Sequence, residues 1–158
     1  MSSGFVGIGI ENGKTIPNLG TLWRSAEILG ASFIFTAGRR YRKQSSDTLK
    51  SWRRLPLFDY RDFADLYEHL PYDCQLVGVE LDERAVSLAS FDHPKRCIYL
   101  LGAEDNGLTR EARDRCHRLV QLPGAHSLNV AACGTVVLYD RVTKGERSAP
   151  AATSKAAE

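Results

Sequence analysis

Cys97-Ile98-Tyr99-Leu100-Leu101-Gly102-Ala103-Glu104-Asp105-Asn106-Gly107-Leu108 is the stretch on which the fold turns. Its first five residues are apolar without polar alternation, as expected of a strand covered on both faces in a parallel sheet. Gly102 ends the run, and Glu-Asp-Asn-Gly is turn chemistry. Gln75 to Leu81 reads as a second buried strand of this kind. In open α/β sheets, ligands bind beyond the carboxyl ends of such strands.

Working outward, Phe5 to Ile10 reads as a strand ending at the turn Glu11-Asn12-Gly13. Pro17-Asn18 opens a helix, with Asn18 as its expected N-cap. Leu19, Leu22, Trp23, Ala26 and Leu29 share one face of that helix, and Gly30 suits its end. Ser32 to Thr36 and Leu55 to Phe58 read as short strands. Residues 61 to 70 read as a helix stopped by Pro71. A polar helix fits Thr109 to Cys116, and Arg118 to Leu122 is a last short strand. Ser127 is expected to cap a final helix running to about Val142. Strands alternating with helices predict an α/β domain with a mainly parallel sheet and helices on both faces. Residues 1–145 read as one domain, and the Ala-, Ser- and Lys-rich stretch 146–158 as a disordered tail.

The 158 residues are enough for one real core, and a 43% hydrophobic and 25% charged composition is ordinary for a soluble protein. No apolar run approaches the roughly 20 residues needed to span a bilayer. The start lacks the features of a secretory signal, so a cytoplasmic location is the default expectation. Cys74, Cys97, Cys116 and Cys133 form no closely spaced pair, which argues for buried thiols and against a metal site.

Net charge is only +2, but its distribution is uneven. Arg39, Arg40, Arg42, Lys43, Lys50, Arg53 and Arg54 are opposed by Asp47 alone, with Tyr41 and Trp52 among them. Basic residues interleaved with aromatics can hold phosphates and stack bases, and the same pattern fits a solvated loop.

Three segments carry candidate chemistry. In Pro17-Asn18-Leu19-Gly20-Thr21-Leu22-Trp23-Arg24, Arg24 points away from the apolar stripe, toward solvent or toward a ligand. In the segment after Leu101, Gly102 lets a ligand approach the backbone and Glu104 adds a carboxylate. In Leu122-Pro123-Gly124-Ala125-His126-Ser127-Leu128-Asn129-Val130, free backbone amides at a helix start can hold a polar group. Taken singly, each also fits a plain turn or cap.

Together and in order they resemble the SpoU/TrmH-like family of SPOUT RNA methyltransferases, from Asn18 to Val142. Asn18, Gly20 and Arg24 fit the family's first motif. Gly102, Glu104, Gly107 and Leu108 fit the second. Leu122 and Pro123, then Ser127 to Val130, fit the third. One departure is the short Gly124-Ala125-His126 link between Pro123 and Ser127.

The resemblance implies a C-terminal deep trefoil knot, which no periodicity reveals. It implies S-adenosylmethionine as cofactor, with Val79, Glu80, Gly102, Leu122, Ser127 and Leu128 as its contacts. It implies methylation of a ribose 2′-hydroxyl, tRNA being favoured over rRNA, and a homodimer paired through the small residues Ala131, Ala132, Cys133 and Gly134 of the last helix. Arg24 takes the central catalytic role, with Asn18, Glu104, Ser127 and Asn129 positioning it and the ribose. A guanidinium stays protonated, so stabilising a developing alkoxide suits it more easily than acting as a base. The opening strand begins almost at Met1, with no extra N-terminal RNA-binding domain expected. Arg39, Arg40, Arg42, Lys43, Arg53 and Arg54 thus become the expected RNA contacts. The rival reading is a non-catalytic RNA-binding or assembly protein retaining the fold. A Rossmann site is disfavoured because Gly7, Gly9 and Gly13 are wrongly spaced.

Overall fold

The computed structural model describes residues 4–40 and 54–148. In chain order the elements are β1 (Phe5–Glu11), α1 (Ile16–Ile28), β2 (Phe33–Ala37), β3 (Leu57–Tyr60), α2 (Phe63–Glu68), β4 (Gln75–Val79), β5 (Val86–Ser87), β6 (Arg96–Leu101), α3 (Arg110–Arg115), β7 (Arg118–Gln121) and α4 (Val130–Ser148). The strands form one sheet of order β3-β2-β1-β6-β4-β7-β5, with every pairing parallel. The quoted run is therefore the central strand, flanked by β1 and β4.

Period-two alternation sorts the two faces. Cys97, Tyr99 and Leu101 of β6 join Val6, Ile8 and Ile10 of β1 beneath α1 and α4. Ile98 and Leu100 face the other way, among Phe33, Phe35 and the buried residues of α2 and α3. Helices thus cover both faces, and the inner strands β1, β2, β4 and β6 are buried on both sides. On that second face Gly7 and Gly9 leave room for the Phe33 and Phe35 rings, which a Cβ at either position would overlap. These glycines serve packing, not a phosphate loop. Gly134 does the same service for α4, since a Cβ there would press into Leu22 and Leu101.

The register sets the strand ends level. Ile10 and Val79 both pair with Leu101, and Val79 also pairs with Val120. The carboxyl ends of β1, β6, β4 and β7 therefore open on one edge.

Most expected boundaries move by one or two residues. Two caps are corrected. Thr15, not Asn18, occupies the N-cap of α1, with Pro at the start of the helix, where its missing N–H is harmless. Asn129, not Ser127, caps α4: its Oδ1 accepts from the amides of Ala131 and Ala132 at 2.9 and 3.2 Å. Burying Val130, Ala131, Val137 and Leu138 on one side sets the helix register, and that register leaves Ser127 in the loop. The end of α1 follows expectation. Gly30 has φ +80, and Gly30 and Ala31 donate back to the carbonyls of Glu27 and Ala26, closing the helix. The expected tail is also corrected at its start. Helix α4 continues past Val142 and Glu146 to Ser148.

No helix among the described residues is long and apolar enough to cross a membrane. All four cysteines are free, Cys74 and Cys97 fully buried and Cys116 and Cys133 partly so.

Candidate active site

A cavity of about 530 Å3 lies at the carboxyl ends of β4, β6 and β7. Its size is that of a small-molecule site. Val79, Glu80, Gly102, Leu122, Ser127 and Leu128, singled out from sequence as cofactor contacts, all lie in its wall. Leu128 is 49% exposed and Leu81, also in the wall, 44%. They leave apolar surface facing the cavity beside polar groups, a mixture suited to a ligand with both characters.

Two wall residues are held by the protein itself. The Glu80 carboxylate accepts from the Leu108 amide at 2.7 Å and from the Leu81 amide at 3.0 Å, tying β4 to the loop after β6. That loop closes on itself through paired backbone bonds between Ala103 and Gly107, at 3.2 and 3.0 Å, and Gly107 takes φ +66. Gly102 is required by this closure. A Cβ there would overlap the Gly107–Leu108 backbone, with Gly107 Cα at 2.6 Å. Gly102, which also lies in the cavity wall, thus gives its space to the loop's own backbone.

At the cavity rim the three motifs meet. Glu104 Oε1 accepts from Asn18 Nδ2 and Thr15 Oγ1, both at 2.9 Å, and its Oε2 accepts from the Lys14 amide at 3.0 Å. Asn18 Oδ1 in turn accepts from Asn129 Nδ2 at 2.9 Å. Residues some 90 and 110 positions apart thus form one chain of bonds from β6 through α1 to α4. Asn18 serves this bridge in place of a cap. Burial raises the Glu104 carboxyl, but the donors from Asn18, Thr15 and Lys14 outweigh it and hold the group below its ordinary range. Glu104 is therefore ionised at neutral pH with its oxygens already engaged, which suits positioning better than proton transfer.

Asn129 holds two roles at once, cap and bridge. Asn129→Ala is expected to cost about 1 kcal/mol through the lost cap, a fall of roughly 2–4 °C in Tm. Calorimetric unfolding of the unliganded protein measures it, and an unchanged Tm would show the cap to be dispensable.

Ser127 lies in the cavity wall, near the network in sequence but outside its bonds. Arg24 is placed apart from the wall. It is exposed on α1, with no hydrogen bond or ion pair among the described residues, while Leu19, Leu22, Trp23 and Ala26 are buried on the opposite side. The indole of Trp23 donates to the Leu55 carbonyl at 3.1 Å and fixes the helix against the strand region before β3.

The basic stretch divides. Arg42, Lys43 and Arg53 lie outside the described residues, as do Tyr41, Lys50 and Trp52. Arg39 pairs with Asp59, and the exposed Arg54 reaches Glu27 at 3.4 Å. Arg40 clasps Asp105 in the cavity wall, so it does not stand as a free cation.

Glu11 went unread in the sequence, where it passed for part of a turn. It is 1% exposed and accepts from the amide and hydroxyl of Thr109, at 2.7 and 2.8 Å. Burial raises its carboxyl above the ordinary range. It ties the end of β1 to the start of α3. A charged residue terminating an apolar strand was the available signal. Among the described residues, no group of three His, Cys, Asp or Glu is placed to hold a metal ion.

Residues 6–139 match the model of the SpoU rRNA Methylase family. The chain is 25% identical over 129 residues to the tRNA (guanosine(18)-2'-O)-methyltransferase of Escherichia coli K12, spanning 78% of this chain and 56% of that protein. It is 26% identical over 151 residues to the 23S rRNA (uridine(2479)-2'-O)-methyltransferase of Streptomyces viridochromogenes, spanning 87% and 52%. The solved SpoU methyltransferase AviRb from Streptomyces viridochromogenes, in complex with the cofactor AdoMet, superposes with TM-score 0.79 at 26% identity, covering 92% of this chain and 59% of that one. A further solved structure, "Structural insights into the 2-OH methylation of C/U34 on tRNA", shares the fold at TM-score 0.76 and 22% identity, covering 90% and 99%. The chain spans about half the length of the curated relatives it matches.

Proposed function

Because the chain belongs to the SpoU rRNA methylase family, we propose that it methylates a ribose 2′-hydroxyl of RNA, using S-adenosylmethionine held in the cavity at the ends of β4, β6 and β7. The observation that carries this reading is the bonded chain Glu104–Asn18–Asn129 at the cavity rim, which joins all three motifs. The cofactor supplies a methyl group activated on a sulfonium. The protein must then bind it, orient the ribose and favour loss of the hydroxyl proton.

The residues divide this work. Val79, Glu80, Gly102, Leu122, Ser127 and Leu128 form the cofactor wall. The Glu104–Asn18–Asn129 chain fixes the relative placement of α1, α4 and the loop after β6. Arg24 stabilises negative charge developing on the ribose oxygen or on an adjacent phosphate, as a planar donor. Ser127, in the wall beside this rim, helps place the ribose. The trefoil threading of the C-terminal segment and a cytoplasmic location belong to the same reading. So does a preference for tRNA, supported by the tRNA enzyme among the relatives.

The test has two parts. Titration calorimetry with S-adenosylmethionine or its demethylated product should show saturable binding, and purified protein should place a 2′-O-methyl group on tRNA. No binding of either ligand would sink the reading. Binding without methyl transfer to tRNA or rRNA would leave an RNA-binding protein on the same fold.

The active form is a homodimer in this proposal. Ala132, Val136 and Tyr139 line one exposed side of α4 at helical spacing, and Tyr139 is 61% exposed. Ile28, at the end of the neighbouring α1, is 71% exposed. Of the small residues on α4, Ala131 and Gly134 pack inside the chain, so this apolar side takes over the pairing role. Sedimentation at micromolar concentration should give twice the chain mass, and Val136→Glu with Tyr139→Glu should give a monomer. A wild-type monomer would refute it.

A further inference from the structure

We propose that Arg40 is a positioning residue for the loop Gly102–Gly107, acting through Asp105, and is not one of the RNA-contacting cations. This rests on reading the adjoining cavity as the methyl-donor site. The Arg40 guanidinium donates from Nη1 and Nη2 to the two carboxylate oxygens of Asp105, at 3.2 and 2.8 Å, and from Nε to the Asn12 carbonyl at 2.8 Å. Its own amide donates to the Gly13 carbonyl at 3.0 Å. One residue therefore staples the turn after β1 to the middle of the loop after β6.

Asp105 is committed from the other side. It lies in the cavity wall, takes both guanidinium nitrogens and has Lys14 Nζ at 3.7 Å. The Arg40 hydrogen bonds bring its carboxyl down to about 2, so the pair stays charged wherever the protein works. Its neighbour Glu104 is bonded to Lys14, Thr15 and Asn18. Adjacent carboxylates thus pin the loop in two directions, one toward the start of α1 and one toward Arg40. The loop's own closure is the backbone pair between Ala103 and Gly107.

Exposed ion pairs contribute little to global stability as a rule. Here the pair is bidentate, and what it controls is placement of a wall that a reacting group must meet closely. Charge counting along the sequence cannot distinguish Arg40 from Arg42 and Lys43 two and three residues on. The difference is that an acid in the pocket loop already occupies its fork.

The test uses the full chain with Arg40→Gln, Asp105→Asn and the double variant. Three quantities are read: amide exchange at Ala103 and Gly107, affinity for S-adenosylmethionine, and the salt slope of RNA binding. Positioning predicts that either single change speeds exchange at both amides and weakens cofactor binding by roughly two- to fivefold. The double variant should be no worse than either single one, and the salt slope should be unchanged in all three. A slope smaller by about 0.7–0.9 in Arg40→Gln, with Asp105→Asn normal, would make Arg40 a phosphate contact and overturn the proposal. So would unchanged exchange in both single variants. If the unmodified protein binds no cofactor, the methyltransferase reading fails, and the exchange data still decide whether Arg40 positions the loop.

Discussion

Arg24→Ala is expected to lower single-turnover methylation by roughly 10²- to 10³-fold while leaving cofactor affinity nearly unchanged. The side chain is exposed, has no bonded partner among the described residues and is absent from the cavity wall, so its removal disturbs neither core nor cofactor site. A group idle in the free protein can still matter if it meets charge that exists only in the transition state. Arg24→Lys should not restore the rate, because a point-like ammonium does not reproduce a planar fork spanning ribose oxygen and phosphate. Rapid-mixing methylation with saturating RNA and cofactor reads the chemical step directly. Near-normal turnover in Arg24→Ala would remove it from the catalytic assignment and leave a solvent-facing arginine.

Gly102→Val is expected to fail earlier, at the level of folding. The new side chain would meet the Gly107–Leu108 backbone inside a loop already closed by the Ala103–Gly107 bonds. Backbone cannot turn aside as the end of a flexible side chain can. Overpacking of this kind costs about 1–3 kcal/mol, and here the Leu108 amide bond to Glu80 is exposed to the same displacement. Stability and cofactor binding should therefore fall together, with Gly102→Ala losing less of both. Chemical denaturation without ligand, set beside calorimetry, separates the possibilities. A variant that unfolds like the parent yet binds no cofactor would return Gly102 to the simpler role of clearing space for a ligand.

Local pattern carried the strands. The apolar runs of β4 and β6 lack alternation because both of their faces are covered, and that coverage is recorded in each residue's own polarity. The stripe Leu19, Leu22, Trp23 and Ala26 is recorded in the same way, as is Gly30 at a position of positive φ. Family resemblance then marked Asn18, Glu104 and Asn129 as a set, though nothing in their own segments says how they touch.

What the sequence by itself determined was therefore the class of fold, the order of its elements and the segments that bear chemistry, because periodicity, turn residues and motif spacing are properties of short windows. The tertiary structure alone decided who meets whom. Level strand ends in a parallel sheet bring Glu104 to Asn18, Asn18 to Asn129, and Glu11 to Thr109, across gaps that no local pattern spans. It decided that Asn18 bridges and Asn129 caps, since both are good cap residues and only the buried side of each helix fixes which one stands at its start. It decided that Gly102 yields to backbone, and that Arg40 faces an aspartate. A one-dimensional charge pattern records that a cation is present. Which carboxylate neutralises it depends on the folded distance between them.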